Sequence, residues 1–435
     1  MYLKEIYIQN FKGFEKKKFL FNSRFNVAIG NNATGKSTLL HAIQVALGGY
    51  LQCLNIPATT IYLRQFKKDE VFTKWDYIKK DFIINDEPTL ISTTAQFSHV
   101  KHETKWTRVK LKNSTSQNQR DTGQLILDVK KIAELKSAAF IQIPIVASFG
   151  TGRTIAQLRK GKKAQSRRSN MEKGFLAALS EKVDFDGVIE WIHNYDKNLK
   201  YEKEFEGTKI AFYNAIETAI PYLKEVEYNN FYHEFEAEIT IDDNSIGKTL
   251  HSNMSDGLKA MLNLVAELAF RCVILNGFKG ENAVKATEGI VLIDELDMHL
   301  HPTWQMHVVS NLKGAFPNLQ FIVTTHSPFI VQSLKADELI ILEEDIQSEG
   351  DPFRRSIEEI SSAEMGIKDI PRSKLFSEME DIATEYFNLI ELGKTSENDT
   401  QVAHLRAKLN ELEDVFSEDP AFVALLKSER KSNNI

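Results

Sequence analysis

Gly30 to Thr38 reads Gly-Asn-Asn-Ala-Thr-Gly-Lys-Ser-Thr and fits the pattern Gly-x-x-x-x-Gly-Lys-Ser/Thr. Phe25 to Ile29, just before it, is an apolar run that predicts a buried strand. From Ser37 onward, Leu39, Leu40, Ile43 and Leu47 recur at helical spacing and predict a helix over 37–47. Strand, glycine-containing loop and helix together form the arrangement that cradles a nucleotide triphosphate. Backbone N–H groups of Gly30, Asn31, Asn32, Ala33, Thr34 and Gly35 can converge on phosphate oxygens, while the positive end of the helix faces the same anion. Lys36 supplies a mobile charge for the outer phosphates, and the Ser37 hydroxyl is a ligand for Mg2+. A bare Gly/Asn turn would match the pattern as well, but it would lack the flanking strand and helix.

The chain has 435 residues, enough for two or three domains or for one large domain with insertions. Its 42% hydrophobic and 26% charged residues are those of a globular protein. A net charge of −6 means that any binding to nucleic acid must use a local patch. Cys53 and Cys272 are far apart, which excludes a disulfide framework and a cysteine zinc site and suits a reducing cytoplasm. The start of the chain alternates like a strand, and no apolar run approaches the roughly 20 residues of a membrane span.

Three further segments carry chemistry. Gly289 to Glu295 is an apolar run ending in Asp294 and Glu295, as a strand buried on both faces would read. Carboxylates at such a tip suit Mg2+ binding by Asp294 and proton abstraction from water by Glu295. Asn318 to Phe329 predicts another buried strand, delivering Thr325 and His326 to the same sheet edge. Met254-Ser255-Asp256-Gly257 precedes an amphipathic helix; Ser255 or Asp256 would cap it, or Ser255 and Gly257 would present a hydroxyl and free N–H groups to an anion. If that anion is the terminal phosphate of a nucleotide held by a second copy, ATP joins two copies.

Phosphate loop, Ser-x-Gly, Asp-Glu pair and Thr-His, in that order, resemble the ATPase heads of the ABC superfamily. Leu3 to Phe14, and Leu296-Asp297-Met298-His299-Leu300-His301-Pro302, look like the SMC/RecF/Rad50 branch rather than a transporter. The resemblance implies an α/β P-loop head with a mixed, mainly parallel core sheet, a helical insertion and a helical C-terminal tail. It implies that Gly30 to Thr38 bind phosphate, that Ser37 and Asp294 hold Mg2+, and that Glu295 is the general base. Lys36 and His326 would act on the terminal phosphate, with Ser255, Gly257 and the D-loop residue Asp297 acting across a dimer. Ala33 stands where many relatives carry glycine, and Asp256 replaces a second signature glycine. Gln142 and Gln96 are the candidates for the glutamine that usually links nucleotide to substrate. Pro144 to Arg153, and the tail through Met365 to Phe376 and Asp381 to Leu392, look like the ATPase subunits of Septu-type antiphage systems, whose partner is a separate HNH nuclease.

The expected organisation is a head split over 1–150 and 226–345, a helical insertion over 151–225 and a helical C-terminal region over 346–435 for oligomer or partner docking. Ala139 to Val146 is read as a strand. Arg159 to Lys173 is rich in lysine and arginine, and reads either as a solvated loop or as a patch for DNA or RNA. Val402, Leu405, Leu409, Leu412 and Phe416 recur at helical spacing, either to pack within their own domain or to dock a nuclease or another copy. No nuclease site is found in the sequence, and the chain after His326 lacks the Asp-x-Asp pair of an appended Toprim domain. The expected function is a cytoplasmic, ATP-hydrolysing subunit that dimerises around ATP, with higher oligomers open, and regulates a partner nuclease in antiphage defence. The alternatives are a stand-alone RecF-like DNA-repair ATPase and a nucleotide-gated scaffold that hydrolyses little.

Overall fold

The computed structural model describes residues 1–435 except 55, 57–61, 85–86, 112–116, 139–140, 155–168, 202–203, 242–243, 344–349, 367–373, 393–398 and 416–435. The chain divides into two compact units, Met1–Ile367 and Lys368–Ile435.

The first unit opens with β1 (Tyr2–Phe11), β2 (Phe14–Leu20) and β3 (Phe25–Ile29), then α1 (Lys36–Cys53). Next come a hairpin of β4 (Thr73–Asp76) and β5 (Asp81–Ile84), then β6 (Thr89–Gln96), β7 (Glu103–Lys110), β8 (Gln117–Arg120), α2 (Gly123–Ala138) and β9 (Ile145–Phe149). A helical stretch follows: α3 (Asn170–Phe175), α4 (Phe185–His193), α5 (Tyr195–Lys200) and α6 (Thr208–Ala219). The strands β10 (Leu223–Asn229), β11 (Glu234–Ile241) and β12 (Asn244–Leu250) lead into α7 (Asp256–Asn276) and α8 (Ala283–Ala286). The unit continues through β13 (Gly289–Ile293), α9 (Pro302–Ala315), β14 (Leu319–Thr324), α10 (Pro328–Gln332), β15 (Leu339–Ile341) and α11 (Ile357–Ala363).

The core sheet has the order β15-β3-β14-β13-β9, and every pairing in it is parallel. β3, β9, β13 and β14 are buried throughout, which is why each reads as an apolar run rather than an alternation. Antiparallel pairing is confined to separate sheets, β2-β1-β6-β7-β8, β10-β11-β12 and the β4-β5 hairpin. The core sheet, expected to be mainly parallel, is parallel in each of these pairings, with the antiparallel strands layered outside it.

Helix α1 lies between the core sheet and the antiparallel sheet. Trp106 of β7 is fully buried, and its indole N–H donates to the carbonyl of Ala46 at 2.8 Å. Gly49 admits the ring: a Cβ there would lie 3.1 Å from Trp106. The helix runs past the expected end at Leu47 to Cys53 because this second apolar face is occupied as well.

Of the strand expected over 139–146, residues 139–140 lie outside the described residues, 141–144 are not in a strand, and 145–146 open β9. Ile143 N–H donates to the Asn276 side-chain oxygen at 2.7 Å, and the Asn276 amide donates to Ile143 C=O at 2.9 Å. Those backbone groups are spent on α7, Pro144 lacks a donor, and the ladder starts only at Ile145. The expected basic segment Arg159 to Lys173 falls outside the described residues except from Ser169, whose hydroxyl accepts from Glu172 N–H in a capping box that starts α3.

In the second unit α12 (Lys374–Glu391) packs on α13 (Thr400–Val415). Val402, Leu405 and Leu409 are buried with Ile382, Tyr386 and Ile390 in a small core of their own. Leu412 and Phe416 fall outside what is described of side chains. Among the described residues no helix is long and apolar enough to cross a membrane.

Candidate functional site

Parallel pairing aligns the C-terminal ends of β3, β13 and β14, and their following loops deliver the site. The loop after β3 is pinned by its own hydrogen bonds: Thr34 N–H and hydroxyl both reach Asn31 C=O, at 3.3 and 2.9 Å. Gly35, with φ of 107°, caps α1, and a Cβ there would press 2.7 Å from the Phe14 ring. Ala33 also sits in the left-handed region, at φ 71°, a conformation that glycine would adopt at less cost.

Lys36 folds over this loop, donating to the carbonyls of Gly30 at 2.5 Å and Asn31 at 3.0 Å. Burial pushes its ammonium below the usual lysine range, opposed by the carboxylates of Glu343, Asp294, Glu295 and Asp297. The next residue reaches across the sheet: Ser37 Oγ donates to Asp294 Oδ2 at 3.0 Å. Asp294 Oδ1 accepts from Thr324 Oγ1 at 2.5 Å, and the same hydroxyl accepts from Glu295 N–H at 2.8 Å. Glu295 is itself in a left-handed conformation, φ 51°, which turns the chain sharply off β13. Asp297 Oδ1 then accepts from Thr325 Oγ1 at 2.5 Å and from His326 N–H at 3.2 Å, and the His326 side chain is exposed.

A serine hydroxyl beside a carboxylate is an all-oxygen donor set that suits Mg2+, which is held at phosphate sites by one or two protein oxygens together with the phosphates. Among the described residues no cluster of three His, Cys, Asp or Glu could hold a metal alone, and a site of this kind needs none. Ser255, exposed at the start of α7, accepts from Leu258 N–H at 3.4 Å and so caps its helix. Among the described residues no hydrogen bond joins it to the phosphate loop. Gly257 is buried against the loop after β13, where a Cβ would lie 2.3 Å from His299 C=O.

The family model for the RecF/RecN/SMC N terminal domain matches residues 2–347. The chain belongs to that family. It is 26% identical over 389 residues to the Retron Vc95 probable ATPase of Vibrio cholerae serotype O1 biovar El Tor, covering 79% of this chain and 73% of that protein. It is 34% identical over 152 residues to the Septu protein PtuA of Bacillus thuringiensis, covering 31% of this chain and 36% of that one. The SMC head domain from Thermotoga maritima aligns over 78% of this chain and 94% of its own at 15% identity, with a TM-score of 0.41.

In this RecF/RecN/SMC head the two glutamine candidates are engaged elsewhere. Gln142 donates to Ala286 C=O at 2.6 Å, and Gln96 donates to Phe97 and Val100 carbonyls at 3.0 and 2.8 Å. β9, the edge strand beside β13, ends in Ser148-Phe149 without a glutamine. Sequence reasoning also missed Glu343, which follows β15 and accepts from Asn31 N–H at 2.5 Å. Thr324 was read only as a strand residue, although its hydroxyl orients Asp294 and Glu295 at once.

Proposed function

We propose that this chain is an ATP-hydrolysing head that pairs with a second copy around the nucleotide and controls a separate nuclease in antiphage defence. The observation that carries the reading is the meeting of Ser37, Asp294 and Thr324 across the strand ends, Ser37 and Asp294 lying 257 residues apart in sequence. Membership of the RecF/RecN/SMC family and the likeness to retron and Septu ATPases support it.

The triphosphate lies along the N–H groups of Gly30 to Gly35, and Lys36 exchanges its loop carbonyls for phosphate oxygens. Mg2+, when bound by Ser37 and Asp294, neutralises charge that develops on the transferring phosphoryl group. Glu295 accepts a proton as the water oxygen bonds to the terminal phosphorus, and the bond from that phosphorus to the bridging oxygen breaks. His326 donates to the terminal phosphate. Ser255 and the N–H groups at Gly257 cap the same phosphate from the second copy, with Asp297 at the joint. DNA or RNA engages the basic residues of Arg159 to Lys173.

Turnover by Glu295→Gln tests the enzyme reading. Nucleotide binding should persist while the rate falls about 100-fold or more. A wild-type rate already indistinguishable from the variant's, with ATP still driving pairing, makes the chain a nucleotide-gated scaffold. Purification of the natively expressed complex followed by mass measurement tests the nuclease partner; a chain that emerges only with itself removes it.

A further inference from the structure

Beyond the phosphate loop, a chain of polar contacts runs along the side of α1. Lys12 Nζ donates to His41 Nδ1 at 2.8 Å, and His41 Nε2 on the other side of the ring donates to Glu181 Oε1 at 3.1 Å. Gln44, one turn further along α1, donates to the same Glu181 oxygen and to Ser148 Oγ, both at 2.8 Å. His41 lies one helical turn after Ser37. The backbone of Glu181 pairs with the end of β9: Gly150 N–H donates to Glu181 C=O at 3.0 Å, beside Phe149, whose own C=O accepts from Asp294 N–H at 2.8 Å. Glu181 thus touches α1, which carries Ser37, and the end of β9, which in turn bonds the backbone of Asp294.

Two costs are tolerated here for one carboxylate. Glu181 adopts φ 63°, where a non-glycine residue is strained. Gln44 is 2% exposed and turns its amide nitrogen to Glu181, leaving its own oxygen buried without a donor.

The segment that carries Glu181 is held at both ends by α7. Arg271 donates to Gly174 C=O at 2.7 Å and Leu176 C=O at 2.9 Å, and Glu267, paired with Arg271, accepts from Asp184 N–H at 2.6 Å. Residues 174–184 therefore form a strut between α1, which carries Ser37, and α7, which carries Ser255.

We propose that Glu181 is a positioning residue: through His41 and Gln44 it sets the helix that seats the nucleotide, and through the 174–184 strut it transmits that seating to the Ser255 end of α7. The inference rests on the nucleotide reading above. Glu181 pairs with the end of β9, a strand that carries no linking glutamine, and it joins the half of the site that would bind nucleotide in its own copy to the half that would face the other. The carboxyl is held at about 2, chiefly by the hydrogen bond from His41, then against burial by that from Gln44.

The test uses the full chain, a fluorescent ATP analogue with Mg2+, and the variants Glu181→Gln, His41→Ala, their double and Lys36→Ala. Lys36→Ala must abolish analogue binding; if it does not, the nucleotide reading fails on its own account. With that control in place, Glu181→Gln should leave the analogue's Kd within about threefold while raising about tenfold the ATP concentration that drives pairing and lowering turnover similarly. The double variant should be no worse than either single one, because both break the same contact. Wild-type pairing and turnover in Glu181→Gln, or losses that simply add to those of His41→Ala, overturn the proposal. So does a parallel fall in thermal midpoint and nucleotide affinity, which marks a purely structural residue.

Discussion

Thr324 orients Asp294 from the neighbouring strand: its hydroxyl donates to the carboxylate at 2.5 Å while accepting from the Glu295 N–H at 2.8 Å. One side chain thus orients both the Asp294 carboxylate, proposed above as a Mg2+ ligand, and the turn that carries Glu295, proposed as the general base. Thr324→Val keeps the shape and removes both bonds. It should weaken Mg2+-dependent nucleotide binding or turnover roughly 10- to 100-fold, the usual penalty for an outer-shell partner. A Mg2+ titration of analogue binding checks this, and an unchanged midpoint with unchanged turnover would remove Thr324 from the site.

Ala33 occupies the left-handed region at φ 71°. Ala33→Gly relieves about 1–2 kcal/mol of steric cost and adds about 0.5–1 kcal/mol of chain entropy, so it should be neutral to slightly stabilising with nucleotide affinity intact. Ala33→Val places a β-branched residue in the same conformation and should lower affinity by distorting the loop. Melting curves and analogue titrations of the pair decide the matter, and equal affinities for the two variants contradict it.

Acid should weaken the first unit through Glu70. Burial would raise its carboxyl, but Arg64, the Lys67 N–H and Lys12 outweigh burial and hold it at about 2, against an ordinary 4.5. A value depressed in the folded chain contributes stability that is present above the unfolded value and is lost as pH falls from about 4.5 through about 2. Glu70→Gln leaves the Arg64 guanidinium, 4% exposed, without its counter-charge. It should cost about 3 kcal/mol near neutral pH. Its stability should then decline less than wild type between about pH 5 and pH 3. Denaturant midpoints across that range provide the check; parallel curves would show that Glu70 is not responsible.

Gly257→Ala should destabilise the fold by about 1–3 kcal/mol, since the methyl group meets a backbone carbonyl rather than a yielding side chain. Ser255→Ala, by contrast, loses only a cap bond of 3.4 Å and should cost about 1 kcal/mol. If Ser255→Ala nevertheless abolishes ATP-driven pairing while the monomer's melting midpoint barely moves, its role lies across the interface. Pairing equal to wild type would confine Ser255 to capping.

The loop and strands of the candidate site were legible because backbone demands leave local marks. A tight glycine-containing loop shows as Gly30 to Thr38, and strands buried on both faces show as Phe25 to Ile29 and Gly289 to Ile293. Their order in the sheet was not legible. Thr324 serves Asp294 only because β14 lies beside β13, and pairing partners leave no local signature in a parallel sheet. Glu181 was invisible for a related reason: it lies between α3 and α4, outside any periodic segment, and gains its meaning from His41 and Gln44, some 140 residues earlier. The apolar run before β9 misled because Asn276, far along the chain, takes up the backbone groups of Ile143. Glu343 gave no signal at all, being one acid in an acidic stretch whose neighbour in space is a loop at the other end of the sequence.

The fit of Gly257 against the His299 carbonyl has a mechanical consequence. Two stretches of chain, one opening α7 and one leaving β13, abut with no clearance for a methyl group, so neither can slide without dragging the other. Whatever presses on the Ser255 corner from outside therefore also moves the turn beyond Glu295. The start of α7 and the turn after β13 are, in this sense, cut from a single block.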